Sequence, residues 1–224
     1  MGCTFQRLPC SPAALVWFLM SWSHLVVNAT DWTCGKGSQV GTFTQLTDCL
    51  ADKMITVDDH LSLTGRPGLT TIKAATGERH FVIRSSSLAP TLDLKWIKLT
   101  GSLGDSSGGI QVQHGTLRTI ECLFYQNRNN RGGGIEAFVV DSNSLTQPTL
   151  ILNDTKIIGN VASGEQGGGG VYQSAGSFTM FGGFVEGNNA LNEGSNGGGL
   201  YFVGLTTVTI TKTTIASNHA YSVS

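Results

Sequence analysis

The stretch Gly168 Gly169 Gly170 Val171, answered 17 residues after the valine by the asparagine of Val185 Glu186 Gly187 Asn188, decides the reading of this chain. The same pair of signatures occurs four times in order. The glycine clusters are Gly108 Gly109 Ile110, Gly132 Gly133 Gly134 Ile135, Gly168 Gly169 Gly170 Val171 and Gly197 Gly198 Gly199 Leu200, each ending in an aliphatic residue. The second signature is a large apolar residue, two variable ones and Asn, and it ends at Asn127, Asn160, Asn188 and Asn218. Aliphatic-to-Asn separations are 17, 25, 17 and 18 residues. The long one contains the polar insert Asp141 to Pro148, which reads as a loop bulging from one repeat. Internal repeats of this length point to a stacked architecture.

Between the signatures the pattern has the period of a strand. Ten and eight residues before each Asn stand Leu117 and Thr119, Leu150 and Leu152, Phe178 and Met180, and Val208 and Ile210. Five and three residues before it stand Cys122 and Phe124, Thr155 and Ile157, Gly183 and Val185, and Thr213 and Ile215. The shift from even to odd offsets inserts one residue between two strands, as where a sheet turns a corner. A unit of this kind cannot bury its apolar face alone, but stacked copies can. The expected fold is all-β, a right-handed parallel β-helix with an aliphatic column inside and an Asn column (Asn127, Asn160, Asn188, Asn218) at one bend. A β-propeller blade, the main rival, needs about 40 to 45 residues and four antiparallel strands.

Composition agrees with this. Of 30 glycines in 224 residues, 23 lie between Gly101 and Gly204, so the excess has a local cause. Without a three-residue period, and with only 5 prolines, collagen is excluded. At 40% hydrophobic the chain can bury a core, which excludes disorder. A net charge of -1 gives no electrostatic basis for binding nucleic acid.

The Gly-Gly-x-aliphatic clusters alternating with apolar-x-x-Asn, with Ala162, Ala190 and Ala220 each two residues after the Asn, resemble the repeat of chlamydial-type polymorphic outer-membrane proteins. Residues 106–224 carry the resemblance. It implies a pectin-lyase-like β-helical passenger that is displayed at a surface or secreted and is adhesin-like.

Upstream, Arg7 precedes an apolar run from Ala13 to Met20 that closes at Val26 Val27 Asn28 Ala29, the pattern of a signal peptide cleaved after Ala29. The run is too short for a membrane span, and no later segment is apolar enough for a transmembrane helix. The mature chain keeps Cys34, Cys49 and Cys122. Cys34 and Cys49 are the natural disulfide pair, and Cys122 reads as a small buried hydrophobe. Residues 30–105 read as a cap and first degenerate rungs. Thr42 to Asp52 carries a helical stripe at Phe43, Leu46, Cys49 and Leu50 behind a Thr42 N-cap, which predicts a short capping helix. Met54 to Leu63 and Leu69 to Ala74 read as first strands, and His80 to Thr100 as a rung without the glycine pair. Ser224 falls in mid-repeat, so a longer natural chain is expected.

Candidate chemistry is sparse. A glycan lyase or hydrolase needs two carboxylates at a set spacing, or carboxylates holding calcium. Asp58 and Asp59 beside His60 form the best cluster, yet neighbours on a strand point to opposite faces. Glu136 and Glu165 read as isolated surface charges. Offset six before each Asn holds Glu121, Asp154, Gly182 and Lys212, so no acidic column forms. Gly35, Gly37 and Gly41 miss the dinucleotide spacing, and the histidines are scattered. No catalytic residue, metal site or cofactor is expected. Arg128 and Arg131 read as a hydrated bend able to touch an anionic glycan. Tyr125, Tyr172 and Tyr201 are expected to point outward and to mark a contact face. Asn153 Asp154 Thr155 is a glycosylation sequon in a eukaryotic host. The expected function is a secreted or outer-membrane surface for an extracellular protein or glycan. The alternative is a glycan-cleaving β-helix whose site lies beyond Ser224 or on the Asp141 to Pro148 insert.

Overall fold

The computed structural model describes Trp32, Cys34 and residues 40–85, 89–104, 108–140, 146–204 and 206–221. Residues 1–29, read from sequence as a signal peptide, residues 141–145 of the insert and the final residues 222–224 lie outside the described residues. Within them the chain is built of short strands and contains no helix.

These strands lie in four stacked sheets. The first has seven strands, one from each rung: Gly41–Phe43, His60–Thr64, Thr91–Lys95, Thr116–Ile120, Thr149–Asn153, Gly176–Phe181 and Thr206–Thr211. The second also has seven: Cys49–Ala51, Thr70–Ala74, Ile97–Thr100, Leu123–Tyr125, Lys156–Ile158, Phe184–Glu186 and Thr214–Ala216. The third has four, Arg128–Arg131, Val161–Gly167, Asn189–Ala190 and His219–Ala220. The fourth has six, Ile55–Val57, Phe81–Ile83, Ile110–Val112, Ile135–Ala137, Val171–Gln173 and Leu200–Phe202. Each strand pairs in parallel with its counterpart one rung away. The molecule is a parallel β-solenoid, and the antiparallel blades of a propeller are absent from the described residues.

Register places like on like. Leu61, Leu92, Leu117, Leu150, Phe178 and Val208 form one column of the first sheet. Ile72, Leu99, Phe124, Ile157, Val185 and Ile215 form the corresponding column of the second. The aliphatic residue that ends each glycine cluster continues the fourth-sheet column Ile55, Phe81, Ile110, Ile135, Val171, Leu200. Most of these side chains are fully buried, at about 1.5–3 kcal/mol each. In the last rung the same columns are open, with Val208 and Ile215 exposed.

The one-residue corner between first and second sheets falls at offset six. Glu121, Asp154 and Lys212 adopt φ of 51°, 45° and 54°, and Gly182 one of 71°. Leu69 and Trp96 occupy the same corner in earlier rungs, at 77° and 56°. Offset six therefore carries no common chemistry because its task is a backbone conformation.

The glycine clusters have three tasks. Gly132 takes φ of 59° to leave the third sheet. A Cβ on Gly133 would come within 2.5 Å of Val161 N in the next rung, and one on Gly134 within 3.3 Å of the Asn160 side chain. The two sequence signatures are thus in contact, one rung apart.

Thr42 to Asp52 is not a helix. It forms the strands Gly41–Phe43 and Cys49–Ala51, which pair with Leu61–Leu63 and Ile72–Ala74. The helical stripe is coincidental: Phe43, Leu46 and Ala51 face the core, whereas Leu50 is 59% exposed. Gln45, at φ of 58°, turns the corner between the strands. Trp32 packs on Phe43 with ring centroids 5.3 Å apart, and the Cys34–Cys49 disulfide joins this end of the stack.

Candidate functional site

The Asn column is a continuous hydrogen-bonded ladder. Asn160 donates from Nδ2 to Phe124 O at 3.0 Å, and its Oδ1 accepts from the backbone N of Asn127 at 3.0 Å and from Asn127 Nδ2 at 3.2 Å. Asn188 repeats this with Ile157 O and Asn160, and Asn218 with Val185 O and Asn188. Asn127, Asn160 and Asn188 are fully buried, and each satisfies amides that would cost about 1–3 kcal/mol unpaired. Asn127 reaches Leu99 O, and Ser102 N donates to Asn127 Oδ1 at 3.3 Å. One rung earlier the same carbonyl position, Ile72 O, lies 3.0 Å from His80 Nε2, as does Thr100 O. That nitrogen therefore carries the proton, and burial holds the neutral imidazole's pKa down at about 4 against the backbone hydrogen bonds that raise it.

Cys122 is buried, and burial pushes its thiol up to about 12, which suits a packing role. Asp58 and Asp59 lie exposed in the bend between Ile55–Val57 and His60–Thr64, and His60 Nε2 is 3.9 Å from Asp93 rather than gathered with them. Among the described residues no three His, Cys, Asp or Glu side chains converge as metal ligands. Asn153 ends a first-sheet strand, and the Thr155 hydroxyl of its sequon is buried, 2.7 Å from Thr119 Oγ1.

The tyrosines divide. Tyr125 is half-buried beneath Lys98 Nζ, 4.7 Å from the ring centre. Tyr172 and Tyr201 stack in one column of the fourth sheet, centroids 5.9 Å apart, but Tyr172 is only 5% exposed. It points away from the core as expected, yet it is covered and presents no open contact face. Its cover is the Arg131 guanidinium, 5.1 Å above the ring and 4.5 Å from Phe138.

Arg131 belongs to a buried polar cluster on the outer side of the fourth sheet. Its centre is Glu136, 4% exposed and stacked between Gln111 and Tyr172. Arg131 Nε donates to Glu136 Oε1. Oε2 accepts from Gln111 Nε2 at 2.8 Å, Asn129 Nδ2 at 3.2 Å and Arg79 Nη2 at 3.4 Å. Burial lowers the Arg79 pKa, and the neighbouring Glu136 charge opposes that shift. Glu136 is therefore no isolated surface charge: partners 57 and 25 residues away close around it.

This cluster floors a cleft of about 600 Å³, walled by Asn130, Ser163, Gly164, Glu165, Gln166 and Asn192. The wall exists because the third sheet breaks register: Arg128 and Asn129 pair with Val161 and Ala162, but Arg131 pairs with Gly167, so Ser163 to Gln166 bow outward. Arg131 Nη1 donates to Gln166 Oε1 at 2.9 Å across the gap. The signal is in the sequence as the Asn-to-Gly step, which grows from 5 residues (Asn127 to Gly132) to 8 (Asn160 to Gly168) and 9 (Asn188 to Gly197). Arg128, the other cation of the expected bend, is exposed on the Arg128–Arg131 strand. No protein-family model, curated protein or solved structure matches the chain.

Proposed function

We propose that this chain is a secreted or cell-surface solenoid that recognises an extracellular partner along its flank and performs no chemistry on it. The observation that carries this reading is the state of Glu136. Four donors, two of them guanidinium groups, surround its carboxylate. A general acid or base must exchange a proton with substrate, and this carboxylate is instead fixed as an acceptor that orders Arg131. The best-enclosed carboxylate of the cleft therefore has a positioning role.

Further support comes from the sequence and the cross-link. The N-terminal segment reads as a secretory signal, and a Cys34–Cys49 disulfide suits an oxidising compartment. Among the described residues no helix is long and apolar enough to cross a membrane. The Gly/Asn repeat resembles surface-displayed passengers, and we read the winding as right-handed, the hand that parallel crossovers take in about 98% of cases.

The test uses the purified chain added to a panel of cultured cells. Saturable attachment, competed by excess unlabelled protein, is the expected outcome, together with no cleavage of neutral or uronic-acid polysaccharides in calcium. Release of reducing ends or unsaturated sugars would sink the non-catalytic reading in favour of the lyase or hydrolase alternative.

A further inference from the structure

The chemistry of the flank cleft narrows its ligand. Its volume, about 600 Å³, is ordinary for a small-molecule site, but such sites are mostly apolar and this one is not. Among the described residues, amides, a hydroxyl, charged groups and a glycine line it, with no aliphatic or aromatic side chain. An apolar ligand would strip these groups of water and return nothing.

Charge narrows it further. Arg79 and Arg131 face Glu136 and Glu165, so formal charge in the lining cancels. Both guanidiniums are already engaged with Glu136, which leaves an anion little net field to gain. Of the other lining groups, Asn130, Gln166 and Asn192 carry amides that can both donate and accept, while the Ser163 hydroxyl already donates to Asn129 O at 3.2 Å. Adjacent groups of that kind match the vicinal hydroxyls of a sugar ring. The wall is also ordered in advance: Glu136 and two aromatic rings hold Arg131, and Arg131 holds Gln166 through its carbonyl oxygen, leaving the Gln166 amide to donate. Ordering before binding lowers the entropy lost when a polar ligand docks.

We propose that this cleft binds a neutral oligosaccharide, with Gln166 and Asn192 as its principal hydrogen-bonding side chains and Arg131 as the residue that positions Gln166. The assignment rests on the recognition reading and supplies its substrate class.

The experiment titrates the purified chain with short neutral oligosaccharides of the gluco, galacto, manno and xylo series, and with uronic-acid and sulfated oligosaccharides in parallel. At least one neutral series binds saturably, and Gln166→Ala combined with Asn192→Ala weakens that binding by at least about tenfold without changing the melting temperature. Asn192→Trp, which fills the cleft, abolishes it. The assignment is overturned if no neutral series binds, if only acidic sugars bind, or if both variants bind like the parent. Cell attachment that persists unchanged in both variants overturns the cleft alone, whereas a parent chain that never attaches to cells removes the broader reading.

Discussion

The three rungs before residue 104 and the four after it share one cross-section but close it by different means. In the later rungs the bend after the second sheet is closed by Asn127, Asn160, Asn188 and Asn218, each bonded to the next. In the earlier rungs Ser102 and His80 stand at that seam, and a disulfide joins the first rung to Cys34. Among the described residues the four strands of the third sheet all lie in the later half, where the glycine clusters let the chain leave it. A regular motif is thus one solution to a fixed problem, namely a buried row of carbonyls with no strand to receive them. Irregular residues solve it elsewhere.

This contrast can be broken most severely at the ladder. Asn160→Leu strands Asn127 N and Phe124 O in the core and should cost about 3–5 kcal/mol by denaturant unfolding. A loss below about 1 kcal/mol would refute the ladder as the later half's main polar support. Replacing both Cys34 and Cys49 by Ser should cost about 3 kcal/mol, as expected for a link across a separation of 15 residues. Hydrogen exchange should then report opening of residues 41–57 ahead of the later rungs, and uniform opening would argue against two separately held halves.

His80 sharpens the comparison through pH. Its folded value of about 4 lies below its ordinary 6.5, so between these values the unfolded chain binds more protons and stability falls as pH falls. Across that window the parent should lose up to about 3 kcal/mol relative to His80→Gln, with no further divergence below pH about 4. Parallel pH profiles for the two proteins would show that His80 is not held neutral. The smallest effect is at the shared corner. Glu121→Gly should change stability by less than about 1 kcal/mol, since its φ of 51° suits glycine. A larger loss would mean that the side chain, not the backbone, holds that corner.

The later half was largely legible in the sequence because its contacts recur at one fixed offset. Leu150 above Leu117, or Asn160 above Asn127, needs only the repeat length to be known. Thr42 to Asp52 imitates a helix because a few apolar residues at corners and strand ends fall at helical spacing, and the exposed Leu50 reveals the imitation. The direction of Tyr172 followed from alternation, but its burial depends on Arg131 crossing from another sheet. Glu136 was hidden for a related reason. Its partners Arg79 and Gln111 belong to earlier rungs, one of them outside the glycine repeats, so no local pattern announces the cluster.

The bowed segment Ser163 to Gln166 has a consequence for how such a chain can vary. Stacking constrains the strands from each glycine cluster round to the Asn, the insert between Ala137 and Thr149 apart, while the step from Asn back to the next glycine changes length from rung to rung without disturbing the columns. Lengthening that step reshapes the cleft wall and leaves the core as it was. Descendants of one solenoid can therefore acquire new binding preferences by insertion at this edge, with the stability of the stack and the selectivity of its flank free to evolve apart.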